Sequence, residues 1–167
     1  MTPRFARAVA TFGYVGLIPG PAGTWGSLAA LPFGYLLHRY GGFPLLAAAT
    51  AFLYLLGYWA VLVEVVDEHD LDPREVVVDE VVGQWIALWP LSLGLWLAGA
   101  PSALFPWPGW VFGFLLFRFF DVTKLGPVGW ADRRKGAQGV MLDDLIAGAL
   151  AALCVTLMAA IAHGWLR

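Results

Sequence analysis

Residues 145–165 read LIAGALAALCVTLMAAIAHGW and contain no Asp, Glu, Lys or Arg. A membrane-spanning helix needs about 20 consecutive apolar residues. This stretch of 21 residues is therefore long enough to cross a bilayer. Two aspartates, Asp143 and Asp144, come directly before it. The end of the chain thus predicts a membrane helix with paired carboxylates at its start.

Four further apolar stretches precede this one, at residues 24–38, 43–63, 81–99 and 104–120. The second and third are also long enough to span a bilayer, whereas the first and fourth are short and need tilting or local thinning of the membrane. Whether the first stretch spans or re-enters is left open. The chain is 60% apolar and 13% charged, whereas a globular domain carries roughly 25% charged residues. Its mean hydropathy is +0.72. We therefore expect an all-α fold, an integral membrane bundle of about five embedded helices that forms a single domain over residues 1–167.

The charged residues fall on one side of this predicted bundle. If all five stretches cross, the N-terminus, the 64–80 loop and the 121–144 loop share a side. That side then holds all 12 acidic residues and eight of the ten basic residues, the exceptions being Arg39 and Arg167. The excess of Lys and Arg marks it as cytoplasmic. The net charge of −2 provides no basic field for nucleic acid, so no nucleic-acid partner is expected.

Five carboxylates lie at the predicted cytoplasmic ends of different helices: Asp79 and Glu80 before the third stretch, Asp121 after the fourth, and Asp143 and Asp144 before the fifth. The alternative interpretation is that they cap helices or complement helix dipoles. A bundle that gathers five unneutralised carboxylates makes them repel one another. A divalent cation with oxygen ligands removes this repulsion, and Mg²⁺ is usual where phosphates bind. We predict that all five are catalytic and that Asp79, Glu80, Asp143 and Asp144 bind Mg²⁺.

Arg118, Asp121 and Lys124 are spaced by three residues, so on a helix they share one face. Arg offers a bidentate fork and Lys a point charge, and both suit phosphate. The alternative is that Arg118 extends to the lipid headgroups, with Asp121 as its neutralising partner. The favoured interpretation is a phosphate clamp formed by Arg118 and Lys124.

Two glycine-rich segments adjoin these charged residues. Residues 19–27, PGPAGTWGS, run into the first apolar stretch. Backbone N–H groups at such a helix start can bind an anion, with Thr24 as the candidate N-cap. We predict that Thr24 and Ser27 help to bind the substrate, although an ordinary capped loop is the alternative. Residues 136–144, GAQGVMLDD, predict a loop that ends in acids opening the last helix.

A metal and phosphate site at a membrane interface indicates a lipid phosphate as substrate. The nucleophile is either an activated water or one of the aspartates. The only cysteine, Cys154, lies in an apolar run and excludes an intrachain disulfide and a cysteine-rich metal site. A small membrane transporter is the competing class. It is disfavoured because the central parts of the predicted spans lack charge.

Four blocks of this sequence resemble the phosphatidylglycerophosphatase A family, in the family's order and spacing. They are GTWGSL at 23–28, VDExxG at 78–83, FRxxDxxK at 117–124 and MLDDLxAG at 141–148. The resemblance extends from about Phe12 to Ala160.

The resemblance implies a Mg²⁺-dependent enzyme of the bacterial inner membrane. Such an enzyme removes the terminal phosphate of phosphatidylglycerophosphate and gives phosphatidylglycerol. It also implies an all-helical, multi-pass fold, with the family's acidic and basic positions on residues already identified from their chemistry: Asp79, Glu80, Arg118, Asp121, Lys124, Asp143 and Asp144. The alternative substrate is another lipid phosphate or a prenyl phosphate. The oligomeric state is not predicted.

Overall fold

The computed structural model describes residues 3–66, 73–104 and 106–165. Its helices are α1 Pro3–Ala10, α2 Ala22–Val66, α3 Val78–Leu97, α4 Trp107–Thr123, α5 Pro127–Asp132 and α6 Ala137–Trp165, with 3-10 turns at Val15–Leu17 and Pro73–Glu75. No β-strand occurs in these three ranges, and the predicted all-α class is confirmed. Five charged residues of the sidedness argument lie outside the described residues: Asp67, Glu68, Asp70, Asp72 and Arg167.

α2 consists of two helical segments joined at Gly42. This residue has φ 62° and ψ −158°, a non-helical conformation that glycine adopts readily. Gly23 lies beside the first turn of α3, and Gly42 lies beside Trp96 near the end of α3. Gly57 lies beside Val78, which is again at the start of α3. The chain therefore runs along α3 and returns, so the two halves of α2 are antiparallel. This arrangement agrees with the two separate apolar stretches predicted in this region.

α3 packs against α2, α4 and α6. Its contact with α6 is close because both helices present glycine. A Cβ on Gly83 would lie 2.6 Å from the carbonyl oxygen of Asp144 and 2.5 Å from Cε2 of Phe117, and a Cβ on Gly148 would overlap the Gly83 carbonyl. Small residues let helix backbones approach in this way. The glycine pair therefore fixes the start of α6, and with it Asp144, against α3.

Large apolar side chains face outward from this bundle. Phe52 is 66% exposed, Leu55 67% and Ile161 62%. An apolar surface of this kind is typical of a protein in contact with lipid. Two helical ranges, Ala22–Glu64 and Ala137–Ala162, are long and apolar enough to cross a membrane. These features support membrane association.

The structure corrects the predicted loop at residues 136–144. α6 already begins at Ala137, so Asp143 and Asp144 lie in its second turn and do not open it. The amides of Gly139 and Val140 donate to the Gly136 carbonyl at 3.0 and 3.3 Å, which starts the helix. Gly139 fits inside the helix because it lies directly against the carbonyl of Arg134, where a side chain has no room. Glycine is therefore present for close packing here and not for a loop.

The predicted N-cap role of Thr24 is also wrong. The Pro21 carbonyl accepts hydrogen bonds from the amides of Thr24 at 2.9 Å and Trp25 at 3.1 Å. Pro21 is therefore the N-cap, and Thr24 lies in the first turn of α2. Proline lacks an N–H, so it suits the start of a helix. The N-cap is therefore three residues before Thr24, the predicted position.

Candidate active site

The five predicted carboxylates come together from three helices. Asp79 and Glu80 lie in the first turn of α3, Asp121 in the last turn of α4, and Asp143 and Asp144 in the second turn of α6. Their oxygens form two groups, each with its members within 4.8 Å of one another: Asp79–Glu80–Asp144 and Asp121–Asp143–Asp144. Asp144 belongs to both groups. The prediction that carboxylates from separate segments meet is confirmed.

The cations of the fourth helix lie in the same place. The Lys124 Nζ donates to Asp121 Oδ1 at 2.8 Å and to Asp143 Oδ2 at 2.6 Å. The Arg118 Nη1 donates to Asp121 Oδ2 at 2.5 Å. Asp121 thus holds both cations, as its spacing from them predicts, while the bond from Lys124 to Asp143 joins α4 to α6.

The backbone at the end of α4 positions Lys124. This residue has φ 49° and ψ 40°, a left-handed conformation at the C-cap, and its amide donates to the Phe120 carbonyl at 3.0 Å. Gly129 of α5 packs directly against the Lys124 carbonyl, where a Cβ would overlap. A non-glycine residue in this region is strained. The surrounding contacts hold it there, and they direct the side chain to the carboxylates.

The carboxylates are buried and incompletely paired. Asp144 is 3% exposed and Asp143 6%. One oxygen of each, Oδ1, is buried without a hydrogen-bond partner among the described residues, and so is Oε2 of Glu80. Leaving a buried charged oxygen unsatisfied is costly unless a cation or proton compensates it. The donor set consists only of carboxylate oxygens, which hard divalent ions such as Mg²⁺ prefer.

Burial also changes the protonation of the carboxylates at the start of α3, which precede its apolar segment. It raises the pKa of Glu80 to about 7, with the negative charges of Asp144 and Asp121 adding to the effect and a hydrogen bond with Asp79 opposing it. Burial, and then the charge of Glu80, raises the pKa of Asp79 well above its ordinary value. Without a cation, Glu80 therefore holds a proton at a higher pH than an ordinary glutamate does.

For Lys124, burial and hydrogen bonds shift the pKa in opposite directions. Burial alone would lower the pKa of its ammonium group, but the hydrogen bonds to Asp121 and Asp143 outweigh burial and raise it. Lys124 therefore remains charged throughout the neutral range. It acts at this site as a permanent cation.

The glycine-rich segment before α2 reaches the same site. A Cβ on Gly23 would lie 3.0 Å from the Arg118 Nη1 and would overlap Oε1 of Glu80. Ser27 is fully buried, and its hydroxyl donates to the Gly23 carbonyl at 2.7 Å. The segment thus lies against Glu80 and Arg118, and Ser27 fixes its backbone.

A cavity of about 250 Å³ opens onto the carboxylates. Besides the predicted acids and Lys124, its walls include Arg74, Asp132 and Arg134. The Arg134 guanidinium also lies 4.0 Å from the centre of the Trp130 ring. Sequence reasoning missed Arg74, because a single arginine in a short turn carries no motif. Arg134 belongs to a run of three basic residues at 133–135, and such a run beside a membrane usually contacts anionic headgroups.

Comparisons with known proteins match most of this chain. Residues 8–159 match the model of a family described as phosphatidylglycerophosphatase A. A phosphatidylglycerophosphatase A of Escherichia coli (strain K12) is 33% identical over 152 residues, which are 90% of this chain and 79% of the relative. That of Haemophilus influenzae is 34% identical over 84% of this chain and 80% of the relative.

A third relative has a different name. It is a putative phosphatidylinositol-3-phosphatase of Bacteroides thetaiotaomicron, 36% identical over 80% of each chain. No solved structure gives a match. The family match covers all four sequence blocks and every one of the carboxylates and cations described above. On this evidence, the chain belongs to the phosphatidylglycerophosphatase A family.

Proposed function

We propose that this chain is a membrane-embedded phosphatase that removes the terminal phosphate of phosphatidylglycerophosphate. The observation that carries the proposal is the meeting of five carboxylates with Arg118 and Lys124 at one end of an apolar bundle, in a chain of this family. In the reaction, the bond between phosphorus and the glycerol oxygen breaks. Water supplies the oxygen that phosphorus gains and the proton that the glycerol oxygen takes up.

Mg²⁺ is the proposed cofactor, and the residues fit it. Asp79, Glu80 and Asp144 would hold the ion, with Asp143 adjoining. The unpaired buried oxygens of Glu80, Asp143 and Asp144 provide ligand atoms that no protein group uses among the described residues. A bound divalent ion supplies Lewis-acid stabilisation of the charge on the phosphoryl oxygens.

The remaining side chains bind and orient the phosphate. Arg118 is mostly buried beside the carboxylates, and its guanidinium has further N–H groups for phosphate oxygens. Lys124 contributes a point charge, and Asp121 fixes both cations. Thr24 and Ser27 would act through the segment around Gly23, which lies against Arg118.

The activity test is phosphate release by the purified protein in detergent micelles. We expect release from phosphatidylglycerophosphate with Mg²⁺ and none after EDTA. A parallel panel contains phosphatidylinositol 3-phosphate, chosen because one relative bears the corresponding name, together with phosphatidic acid and a prenyl phosphate. Faster turnover of any of these than of phosphatidylglycerophosphate would reassign the substrate.

We further propose that the two halves of α2, together with α3, α4 and α6, are embedded in the bacterial inner membrane and that the carboxylates face the cytoplasm. The test uses single cysteines in a Cys154→Ala background. Ser102→Cys lies between α3 and α4, at the end away from the site, and Lys135→Cys lies beside α6 at the site; both positions are exposed. In intact cells a membrane-impermeant maleimide should label position 102 only. Labelling of position 135 without permeabilisation would reverse the orientation.

A further inference from the structure

The two carboxylate groups of the site differ in what lies between their oxygens. In the group Asp121–Asp143–Asp144, the Lys124 ammonium lies 2.8 Å from Asp121 and 2.6 Å from Asp143. In the described ranges, the ion pairs of Lys124 reach Asp121, Asp132 and Asp143 and none of Asp79, Glu80 and Asp144. One group therefore already contains the Lys124 ammonium, and the other does not.

Asp144 supplies independent evidence for a ligand at the group without a lysine. The residue is only 3% exposed, and its Oδ1 has no hydrogen-bond partner in the described part of the chain. Oε2 of Glu80 is likewise buried and unpartnered. One carboxylate oxygen of Asp144 and one of Glu80 lie within 4.8 Å of each other. The ionised form of such buried oxygens is costly unless a nearby cation compensates their charge.

Lys124 cannot share its position with a divalent ion. Mg²⁺ requires oxygen ligands at about 2.0–2.1 Å in near-octahedral geometry. The ammonium already binds Asp121 Oδ1 and Asp143 Oδ2, so these two oxygens are not open to a divalent ion, while Asp143 Oδ1 is left without a partner among the described residues. The left-handed backbone at Lys124 and the close packing of Gly129 on its carbonyl hold the residue in this place. Moving the ammonium away would also leave the buried Asp143 carboxylate without the lysine that pairs with it at 2.6 Å.

We propose that Lys124 acts as the built-in second cation of this site, so that the chain binds one divalent ion, at Asp79–Glu80–Asp144, and not two. This inference rests on the metal dependence in the proposed function and extends it to the number of ions. Asp144 is then the residue that faces both cations. Lys124 replaces a second metal ion as the positive charge next to Asp121 and Asp143.

The test counts bound Mn²⁺ in detergent-solubilised protein by electron paramagnetic resonance, with Mn²⁺ as the probe for Mg²⁺. We expect one tightly bound Mn²⁺ per chain in the natural protein. In Lys124→Met, which keeps the length of the side chain without its charge, we expect two ions per chain and a spectrum broadened by coupling between them. Lys124→Arg should retain one ion.

Samples are prepared in Mn²⁺ so that the bound ions stabilise the folded state of Lys124→Met. A second route starts from Lys124→Cys in a Cys154→Ala background, where alkylation with bromoethylamine restores an ammonium group at nearly the same length. The count should fall from two ions to one on alkylation. This comparison uses the same folded sample before and after the chemical step.

Two bound ions in the natural protein would overturn the inference while leaving Mg²⁺-dependent hydrolysis intact. One ion in both the natural protein and folded Lys124→Met would also overturn it, because the second group would then not be a cation site. Binding of no Mn²⁺ to the natural protein would overturn both this inference and the metal dependence on which it rests. Phosphate release that EDTA does not inhibit would identify that outcome as a failure of the metal dependence and not as a wrong ion count.

Discussion

The Cα of Gly83 on α3 faces the carbonyl oxygen of Asp144 on α6 so closely that a Cβ would lie 2.6 Å from that oxygen. This contact sets the distance between the carboxylates of α3 and those of α6. It links a packing detail of the bundle to the geometry of the site. Replacing this glycine therefore tests whether the spacing of the helices controls activity.

We expect Gly83→Ala to push α6 away from α3 and to reduce kcat by about 100-fold, the scale of loss for a displacement of about 1 Å. The melting temperature should fall as well, because overpacking costs about 1–3 kcal/mol. Gly94→Ala is the matched control, since Gly94 lies in the same helix and a Cβ there meets nothing within 4 Å. Equal activity in the two variants would show that the contact does not position the site.

Asp144→Asn should lower kcat by more than about 100-fold, because replacing even a residue that only supports a metal ligand costs about 10–100-fold. The metal-free variant should melt at the same temperature as the natural protein or higher, since a buried unpaired charge is removed. Glu75→Gln is the control: it makes the same change of carboxylate to amide at an ion pair with Arg7, 3.6 Å apart. A large loss of activity in Glu75→Gln with none in Asp144→Asn would discard the assignment of Asp144.

The raised pKa of Glu80 predicts a pH-dependent stability of the metal-free protein. Between its ordinary value of 4.5 and about 7, the folded state holds a proton that the unfolded state releases. The folded state therefore binds more protons, and the free energy of unfolding falls as the pH rises through this window. We expect the melting temperature in EDTA to decrease between about pH 5 and about pH 8.

Added Mg²⁺ should then raise the melting temperature more at about pH 8 than at about pH 5, because cation binding requires the ionised carboxylate. Glu80→Gln cannot lose a proton and should flatten the pH dependence in EDTA. Melting curves across the pH range, with and without Mg²⁺, measure both effects. An unchanged pH slope in Glu80→Gln would assign the dependence to another group.

Arg118→Ala should reduce kcat/KM by at least about tenfold, which corresponds to the loss of one charge-assisted hydrogen bond of about 1.5–3 kcal/mol. Arg118→Lys should recover part of the loss, because a point charge replaces the bidentate fork only in part. Arg39→Ala serves as the control. Arg39 lies near the bend of α2, where its Nη1 donates to the Tyr35 hydroxyl at 3.4 Å, at the end of the bundle away from the carboxylates. The measurement is steady-state kinetics with phosphatidylglycerophosphate. An unchanged kcat/KM in Arg118→Ala would reassign Arg118 to headgroup contact.

The sequence predicts the members of the site better than their local structure. Asp79 and Asp121 follow from their positions at the ends of apolar stretches, and the structure places both as expected. The predicted loop at residues 136–144 is wrong because glycine is typical of loops in sequence. In the structure, residue 139 is glycine because the Arg134 carbonyl leaves no room for a side chain. A tertiary contact of this kind leaves no local pattern.

The bond between Lys124 and Asp143 illustrates the same limit for the chemistry. Sequence spacing predicts that Lys124 reaches Asp121, three residues away on one helix. It does not predict that the same ammonium reaches Asp143 on another helix, because that depends on how α4 and α6 pack. Arg74 enters the cavity for a similar reason, from a turn that only the fold brings close.

The reversal at Gly42 has a topological consequence. An uninterrupted helix of 45 residues would be about 68 Å long, more than twice the thickness of the hydrocarbon core, which is about 30 Å. In the proposed embedding, the bend lets the segment enter and leave by the same face, an even number of crossings. In that embedding, a change of parity at this one glycine would invert every later helix and would carry the carboxylates to the compartment opposite the proposed one.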